Sequence, residues 1–449
     1  MMLDTAKFNN NIVLLDDKKK QKIIAILEEY YERIDKLLQD LPANEKNMQK
    51  PDKDYISGHL LASYLLAIGE GYDFLIDKEH WLANVYNILL YFKQHIEKYY
   101  HWALFHSLSD FAFAILSIQV KSGEFEKFLK SLNKAICDIV LEKLIQFENE
   151  STIVHHYDVI AGMTGVGRYL LLYIENFKTA KDCFHEKNTL EHILKYLIKL
   201  SEDVDIDGKK IIGFYVANEN LWPVERRAQY SHGTLDFGVA HGIAGPLALM
   251  TYSAEKNIVM DGQIKAINKI IKIFNEHTAI KDDIIYWPMI LSAERYKQDG
   301  VADIGSRMSW CYGSIGISCI LYKVNKYLGT NSAKYLHNLE QISQAPWEIY
   351  NLLSPIICHG FAGTMAMFNQ IYRETLDDAL LPGLYMCLDE ILTQHNTDFI
   401  YGFKNIDYGP KDLPDEDDDT YLNGATGVII ALLSLFNPNS LHEKHLLIS

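Results

Sequence analysis

The 449-residue chain is poor in several signals that would narrow its class quickly. No two of its six cysteines form a Cys-x-x-Cys pair. No stretch comes near the roughly 18 uninterrupted apolar residues of a spanning helix, so direct membrane insertion is not expected. The opening "MMLDTAKFNNNIVLLDDKKK" has no apolar run ahead of a small-residue cleavage site, so no signal peptide is expected. The expectation is a cytoplasmic protein with reduced thiols, in which free cysteines are mostly small buried hydrophobes. Cys137, Cys183, Cys319 and Cys387, in apolar or ordinary helical contexts, are read that way. Basic charge is also in deficit: the formal net charge is -16, which argues against a nucleic-acid partner. Strand signals are few. What remains is a chain of ordinary apolar content, long enough for one large domain or two to three smaller ones.

What the sequence does have is a repeated phrase. "AGMTGVGRYLLL" starts at Ala161, "HGIAGPLALM" at His241, "YGSIGISCIL" at Tyr312, "HGFAGTMAMF" at His359 and "NGATGVIIALL" at Asn423. Their shared core is Gly-x-x-Gly followed by an apolar run. Weaker copies start at Ser57 ("SGHLLASYLL") and His106 ("HSLSDFAFAIL"). Between copies lie amphipathic segments such as "QIKAINKIIKIFNEH", with apolar residues at helical spacing. The simplest unit is a helical hairpin whose Gly-x-x-Gly turn leads into the second helix. One hairpin cannot bury its apolar face alone, so copies must stack. A helix apolar on all sides is a buried helix, so the helices after the glycines form an inner layer and the amphipathic ones an outer layer. Seven hairpins give fourteen helices, closing into a toroid or running as an open solenoid. The glycines are expected to supply φ > 0 and to let helix starts crowd together. In a closed ring the turns would converge on one cavity with helix N-termini facing it.

Three copies carry reactive side chains at or beside the position before the first glycine: His241, Cys311 in "RMSWCYGSIG", and Cys358 with His359. In a ring the fifth and sixth copies are neighbours, so Cys311 could meet Cys358 and His359. Two thiolates and an imidazole leave one open position, the pattern of a catalytic zinc, and soft sulfur favours zinc over magnesium or calcium. The other reading is two packed cysteines and a capping histidine.

"YDVIAGMTG", "AHGIAG", "WCYG", "CHG" and "LNGATG", in this order and with these gaps, resemble the lanthionine synthetase C-like family, specifically its stand-alone lanthipeptide cyclases. The resemblance runs from about Ser57 to Leu433. It implies an all-α fold, a single α/α toroid over residues 1–449, with one zinc ion at its mouth. It implies Cys311, Cys358 and His359 as zinc ligands, His241 as acid/base, and Asp158, Arg307 and Tyr312 as further catalytic residues. It also implies a small inserted lobe over residues 203–236, with "KKIIGFYVANE" as its best strand candidate and a suspected role in contacting the precursor peptide. The reaction implied is addition of a peptide cysteine thiol to a dehydroalanine or dehydrobutyrine of the same peptide, giving a lanthionine or methyllanthionine ring. Implied partners are the dehydrated precursor peptide (leader plus core), a dehydratase and an exporter, through which the chain would associate peripherally with a membrane.

Only a thiolate attacks, and a free thiol titrates near 8.5, so a metal that ionises and holds the thiol suits this chemistry. The enolate left by the attack needs a proton at the α-carbon, and His241 is the candidate donor. Asp158 is read as its carboxylate partner or as a helix cap. Arg307 is read as stabilising the enolate oxygen or as a structural ion pair, and Tyr312 as a hydrogen-bond donor or packing residue. His155, His156 and His232 are read as solvated or structural, and the acidic run Lys411–Tyr421 as a solvated loop. A glutathione- or peptide-binding zinc protein of the same fold is the alternative. A carbohydrate enzyme ranks last, because it needs paired carboxylates where the turns offer thiols and imidazoles.

Overall fold

A computed structural model describes residues 2–9, 13, 15–39, 58–96, 103–105, 107–177, 183–206, 208–296, 307–406 and 417–449. The starts of the two weak repeats, Ser57 and His106, and residues 411–416 of the acidic run lie outside the described residues.

Among the described residues, helices of ten residues or more alternate strictly between two kinds. Outer helices are α1 (Asp17–Gln39), α3 (Lys78–Gln94), α5 (Glu126–Phe147), α7 (Phe184–Leu200), α9 (Gln263–Glu276), α11 (Ala333–Gln344) and α13 (Leu381–Gln394). Inner helices are α2 (Gly58–Gly71), α4 (Leu108–Ser122), α6 (Met163–Asn176), α8 (Ala244–Glu255), α10 (Ser314–Leu328), α12 (Phe361–Thr375) and α14 (Ala425–Ser434). The division follows residue type. In α9, Ala266, Ile267, Ile270, Ile273 and Phe274 are buried while the intervening lysines face out. Every residue of α14, "ATGVIIALLS", is buried.

The ring closes. Each inner helix packs on the next, and α14 packs on α2. A run of hydrogen bonds links turn to turn at the N-terminal ends of the inner helices. Phe105 N donates to Ile160 O (3.2 Å), Val159 N to Ala240 O (3.0 Å), Ala240 N to Cys311 O (3.3 Å), Cys311 N to Cys358 O (3.1 Å) and Cys358 N to Leu422 O (3.0 Å). Tyr421 N then donates to Ser63 Oγ of α2 (2.9 Å). Each turn thus satisfies its backbone groups on its neighbour, which fixes the turns in one register.

The repeat glycines correct one expectation. None has a positive φ; those of the last two repeats open their helices in extended conformation, with Gly360 at φ -129° and Gly424 at φ -131°. The reason for glycine is close approach: a Cβ on Gly360 would collide with the Ser354 carbonyl oxygen, and one on Gly363 with that of Ile357.

Two insertions break the alternation. Between α7 and α8 the chain forms strands β1 (Asp203–Ile206) and β2 (Lys209–Ile212), an antiparallel hairpin, then a helical turn at Arg226–Gln229 and strand β3 (Thr234–Asp236). Between α9 and α10 it forms a second hairpin, β4 (Ala279–Lys281) with β5 (Ile284–Tyr286), and then β6 (Ile290–Ser292). β6 pairs antiparallel with β3, placing Asp236 opposite Ile290. Of the strand predicted at 209–219, the first four residues form β2 and Val216 makes a single bridge to Thr234, and the β3–β6 ladder joins the first insertion to a second one that was not expected.

The end of the chain packs inside the ring. Leu446, Leu447 and Ile448 are fully buried. Trp310 Nε1 donates to Leu446 O (2.8 Å), Tyr252 Oη to Leu447 O (2.8 Å) and Arg168 Nε to Lys444 O (2.8 Å). Trp310 precedes Cys311, so this segment also braces the fifth turn from beneath. No helix among the described residues is long and apolar enough to cross a membrane.

Candidate functional site

The turn-to-turn bonds decide what meets what. Cys311 N is bonded to Cys358 O, and Cys311 O accepts from Ala240, the residue before His241. The fifth turn is thereby flanked by Cys358–His359 on one side and His241 on the other. One ligating atom each of Cys311, Cys358 and His359 lies within 4.8 Å of the other two. Three donors around one zinc, at about 2.3 Å for sulfur and 2.0 Å for nitrogen, stand roughly 3.5 to 4 Å apart. The donor set and its spread therefore fit a single zinc ion. Cys311 is buried, yet hydrogen bonding with Cys358, reinforced by His359, holds its thiol well below the usual range. The structural cysteines behave oppositely. Burial pushes the Cys137 and Cys319 thiols up to about 12, and that of Cys387 up as well. Ser309 Oγ lies 3.7 Å from Cys311 Sγ and donates to Tyr312 O at 3.0 Å.

His241 Nδ1 is 2.6 Å from Asp158 Oδ2. Asp158 is fully buried, and its other oxygen accepts Ala161 N at 2.8 Å, so the carboxylate holds its own turn and orients the imidazole together. Of the two roles weighed for Asp158, the bond to His241 is present, whereas the cap of α6 is Gly162, with no side-chain cap bond. Burial opposes charge on both groups. The bonds from His155 and His241 nonetheless keep Asp158 below the ordinary carboxylate range. The bond and charge of Asp158, with Asp236 and Cys311 adding, lift His241 above the ordinary histidine range.

Tyr312 Oη donates to Asp236 Oδ2 at 2.7 Å, and its ring lies 6.1 Å from that of His241. Burial, then the Asp236 charge, pushes the phenol well above its usual range, so it is a persistent donor. Asp236 is itself raised by burial, against the bond from Tyr312 and the charge of Arg226, whose Nη1 is 3.7 Å away. Arg307 begins the fifth turn, half-buried, with its carbonyl oxygen against Gly313.

A cavity of about 550 Å³ opens from His241, Tyr312 and Asp236 toward the first insertion, where Trp222 and Arg226 line it. Arg307 is not among its lining residues. The structure adds two polar groups that sequence reasoning missed. His155 places Nδ1 3.2 Å from Asp158 Oδ2. Asp236 was seen only as the edge of an insertion. Neither sits in a recurring repeat position, so the phrase that exposed the cysteines could not expose them. His156, by contrast, is structural: it stacks on Phe147 at 3.8 Å, and burial lowers it to about 4.

A closed α/α toroid with thiols and imidazoles gathered at its turns defines a narrow class of protein. The family model "Lanthionine synthetase C-like protein" matches residues 61–447, and the chain belongs to that family. It is similar to "Nisin biosynthesis protein NisC" of Lactococcus lactis subsp. lactis, 26% identical over 307 residues, which is 67% of this chain and 70% of that one. Its structure is similar to that of "Nisin cyclase", with a TM-score of 0.74 and 21% identity, over 93% of this chain and 98% of the other, a likeness that carries the toroid fold.

Proposed function

We propose that the chain closes thioether rings in a dehydrated precursor peptide by Michael-type addition, using one zinc ion held by Cys311, Cys358 and His359. The observation that carries this is the meeting of those three donors on two adjacent turns, with the His241–Asp158 pair on the turns beside them. A zinc ion held there would supply the Lewis acidity that ionises a peptide thiol near pH 7.

The chain's own groups account for the rest. Sulfur adds to the β-carbon of the dehydroamino acid, a C–S bond forms, and the π electrons pass to the neighbouring carbonyl oxygen. His241, held as an imidazolium by Asp158, donates a proton to the α-carbon. The thiol proton is thus replaced on carbon and mass is unchanged. Tyr312, whose one phenolic proton goes to Asp236, presents its oxygen at the same wall of the cavity. Arg307 is assigned the enolate oxygen, or the order of the fifth turn that carries Cys311. The cavity against the insertion would lead the peptide to His241 and Tyr312, which makes residues 203–236 the proposed contact for the precursor. The alkenes must come from a serine or threonine dehydratase, and an exporter would remove the product.

The test is ring closure in a dehydrated peptide, read as loss of alkylatable thiols at constant mass. Wild type should close rings and Cys311→Ala should not. Closure at the wild-type rate by a metal-free Cys311→Ala protein would sink the proposal.

A further inference from the structure

We infer that His155, Asp158 and His241 form a second, weaker site for a divalent first-row metal ion, zinc in particular, and that filling it arrests the enzyme. The arrest, though not the site, rests on the proposed role of His241 as proton donor.

The geometry is that of a ligand set. Nδ1 of His241 and Nδ1 of His155 converge on the same carboxylate oxygen, Asp158 Oδ2, at 2.6 and 3.2 Å. One ligating atom of each residue lies within 4.8 Å of the other two. The two rings stand 6.0 Å apart at 71°, so neither blocks the other's nitrogen. Asp158 is fixed by Ala161 N on its other oxygen, so the anionic ligand is pre-positioned. Around one zinc, such donors need bonds of about 2.0–2.2 Å, hence mutual separations of roughly 3 to 3.5 Å. The His241–Asp158 contact must open slightly and the imidazoles must rotate a little. His155 has the freedom to do so: it sits on the four-residue helix Val154–Tyr157 with its side chain 46% exposed. Both histidines line the cavity, which leaves room for waters to complete the coordination.

Two imidazoles and one carboxylate select zinc, copper or nickel over magnesium or calcium. The set has no thiolate and must displace a proton shared between His241 and Asp158. It should therefore fill only after the Cys311–Cys358–His359 site. An ion there takes the lone pair of His241 Nδ1, separates it from Asp158 and occupies the wall where the α-carbon must be protonated.

The experiment uses the full chain in metal-buffered solution, with bound zinc counted by equilibrium dialysis as free zinc rises, and ring closure followed in parallel. Wild type should bind a second ion and lose activity over the same range. His155→Ala and His155→Gln should need at least about tenfold more free zinc for the second ion and for inhibition, while keeping the first. Cys358→Ala should lose the first ion and keep the second, and cobalt in that variant should show no thiolate charge-transfer band. A wild type that stays at one ion at every free zinc it tolerates overturns the site, as does His155→Ala filling it with unchanged affinity. His155-dependent binding with turnover untouched overturns the arrest and counts against His241 as the donor, while leaving the metal site standing.

Discussion

At the scale of single residues, the proposed chemistry divides into metal holding and proton delivery, and substitutions should separate them. His241→Asn should keep the metal and lower turnover by about 10²- to 10⁴-fold, the usual contribution of a positioned acid or base. Metal loss in that variant, measured by elemental analysis, would make His241 a ligand instead. Asp158→Asn tests the coupling. His241 is raised because the Asp158 bond and charge outweigh its burial, so its acid form persists to higher pH than an ordinary histidine. Removing that charge should move the alkaline limb of the pH–rate profile toward lower pH, and an unmoved limb would remove Asp158 from the proton chemistry. Cys311, Cys358, His359 and His241 could be singled out because each stands at one of the two positions before the first glycine of its repeat. Their meeting follows from the contact of consecutive turns; the period leaves a toroid and an open solenoid both open, and the resemblance implies the toroid. His155 reads as solvated or structural, and its half-exposed side chain bonded to Asp158 fits that reading; an imidazole beside a second one has no sequence signature that would suggest more. The short helical turn Val154–Tyr157 carries it onto Asp158, three residues on.

At the scale of elements, the alternation of apolar and amphipathic helices was readable because burial on all sides leaves a composition without polar positions. The glycines were placed correctly but partly for the wrong reason. The turn packs against its own preceding backbone, and no backbone dihedral demanded a left-handed residue there. Gly363→Ala should therefore destabilise by about 1–3 kcal/mol through overpacking against the Ile357 carbonyl. Gly123, at φ 79° with nothing near its missing Cβ, should accept asparagine for less than about 1 kcal/mol. Equal losses in urea unfolding would contradict this contrast. The β3–β6 ladder was not legible: its strands have three residues each and lie 54 positions apart, too short for a periodic signal and too distant for a turn signal.

At the scale of the whole molecule, the seam between the first and last repeats is a ring's weak point, and a buried network latches it. Arg33 of α1 grips Asp419 with Nη2 2.8 Å from each carboxylate oxygen, and Tyr64 of α2 donates to the same carboxylate at 2.9 Å. Burial raises Asp419 to about 6 even against Arg33, so stability falls as pH rises from the unfolded carboxyl's ordinary range to that value, and the cost of the ionised carboxylate is full above it. Arg33→Met should accordingly cost about 3 kcal/mol at pH 8, where a buried carboxylate loses its partner, and markedly less at pH 5, where the carboxyl is protonated. The same loss at both pH values in urea titrations would refute the latch. The bonds between consecutive turns put the fifth between its two neighbours, and every proposed role depends on that placement.

The most direct check is metal content and cobalt absorption in wild type and Cys358→Ala, with a peptide thiol added to each. One tightly held ion per wild-type chain is predicted, with a thiolate-to-metal band that is lost in the variant and that changes when the thiol is added. A folded wild type that binds no metal tightly, or a Cys358→Ala variant with the band intact, would contradict the proposed zinc site.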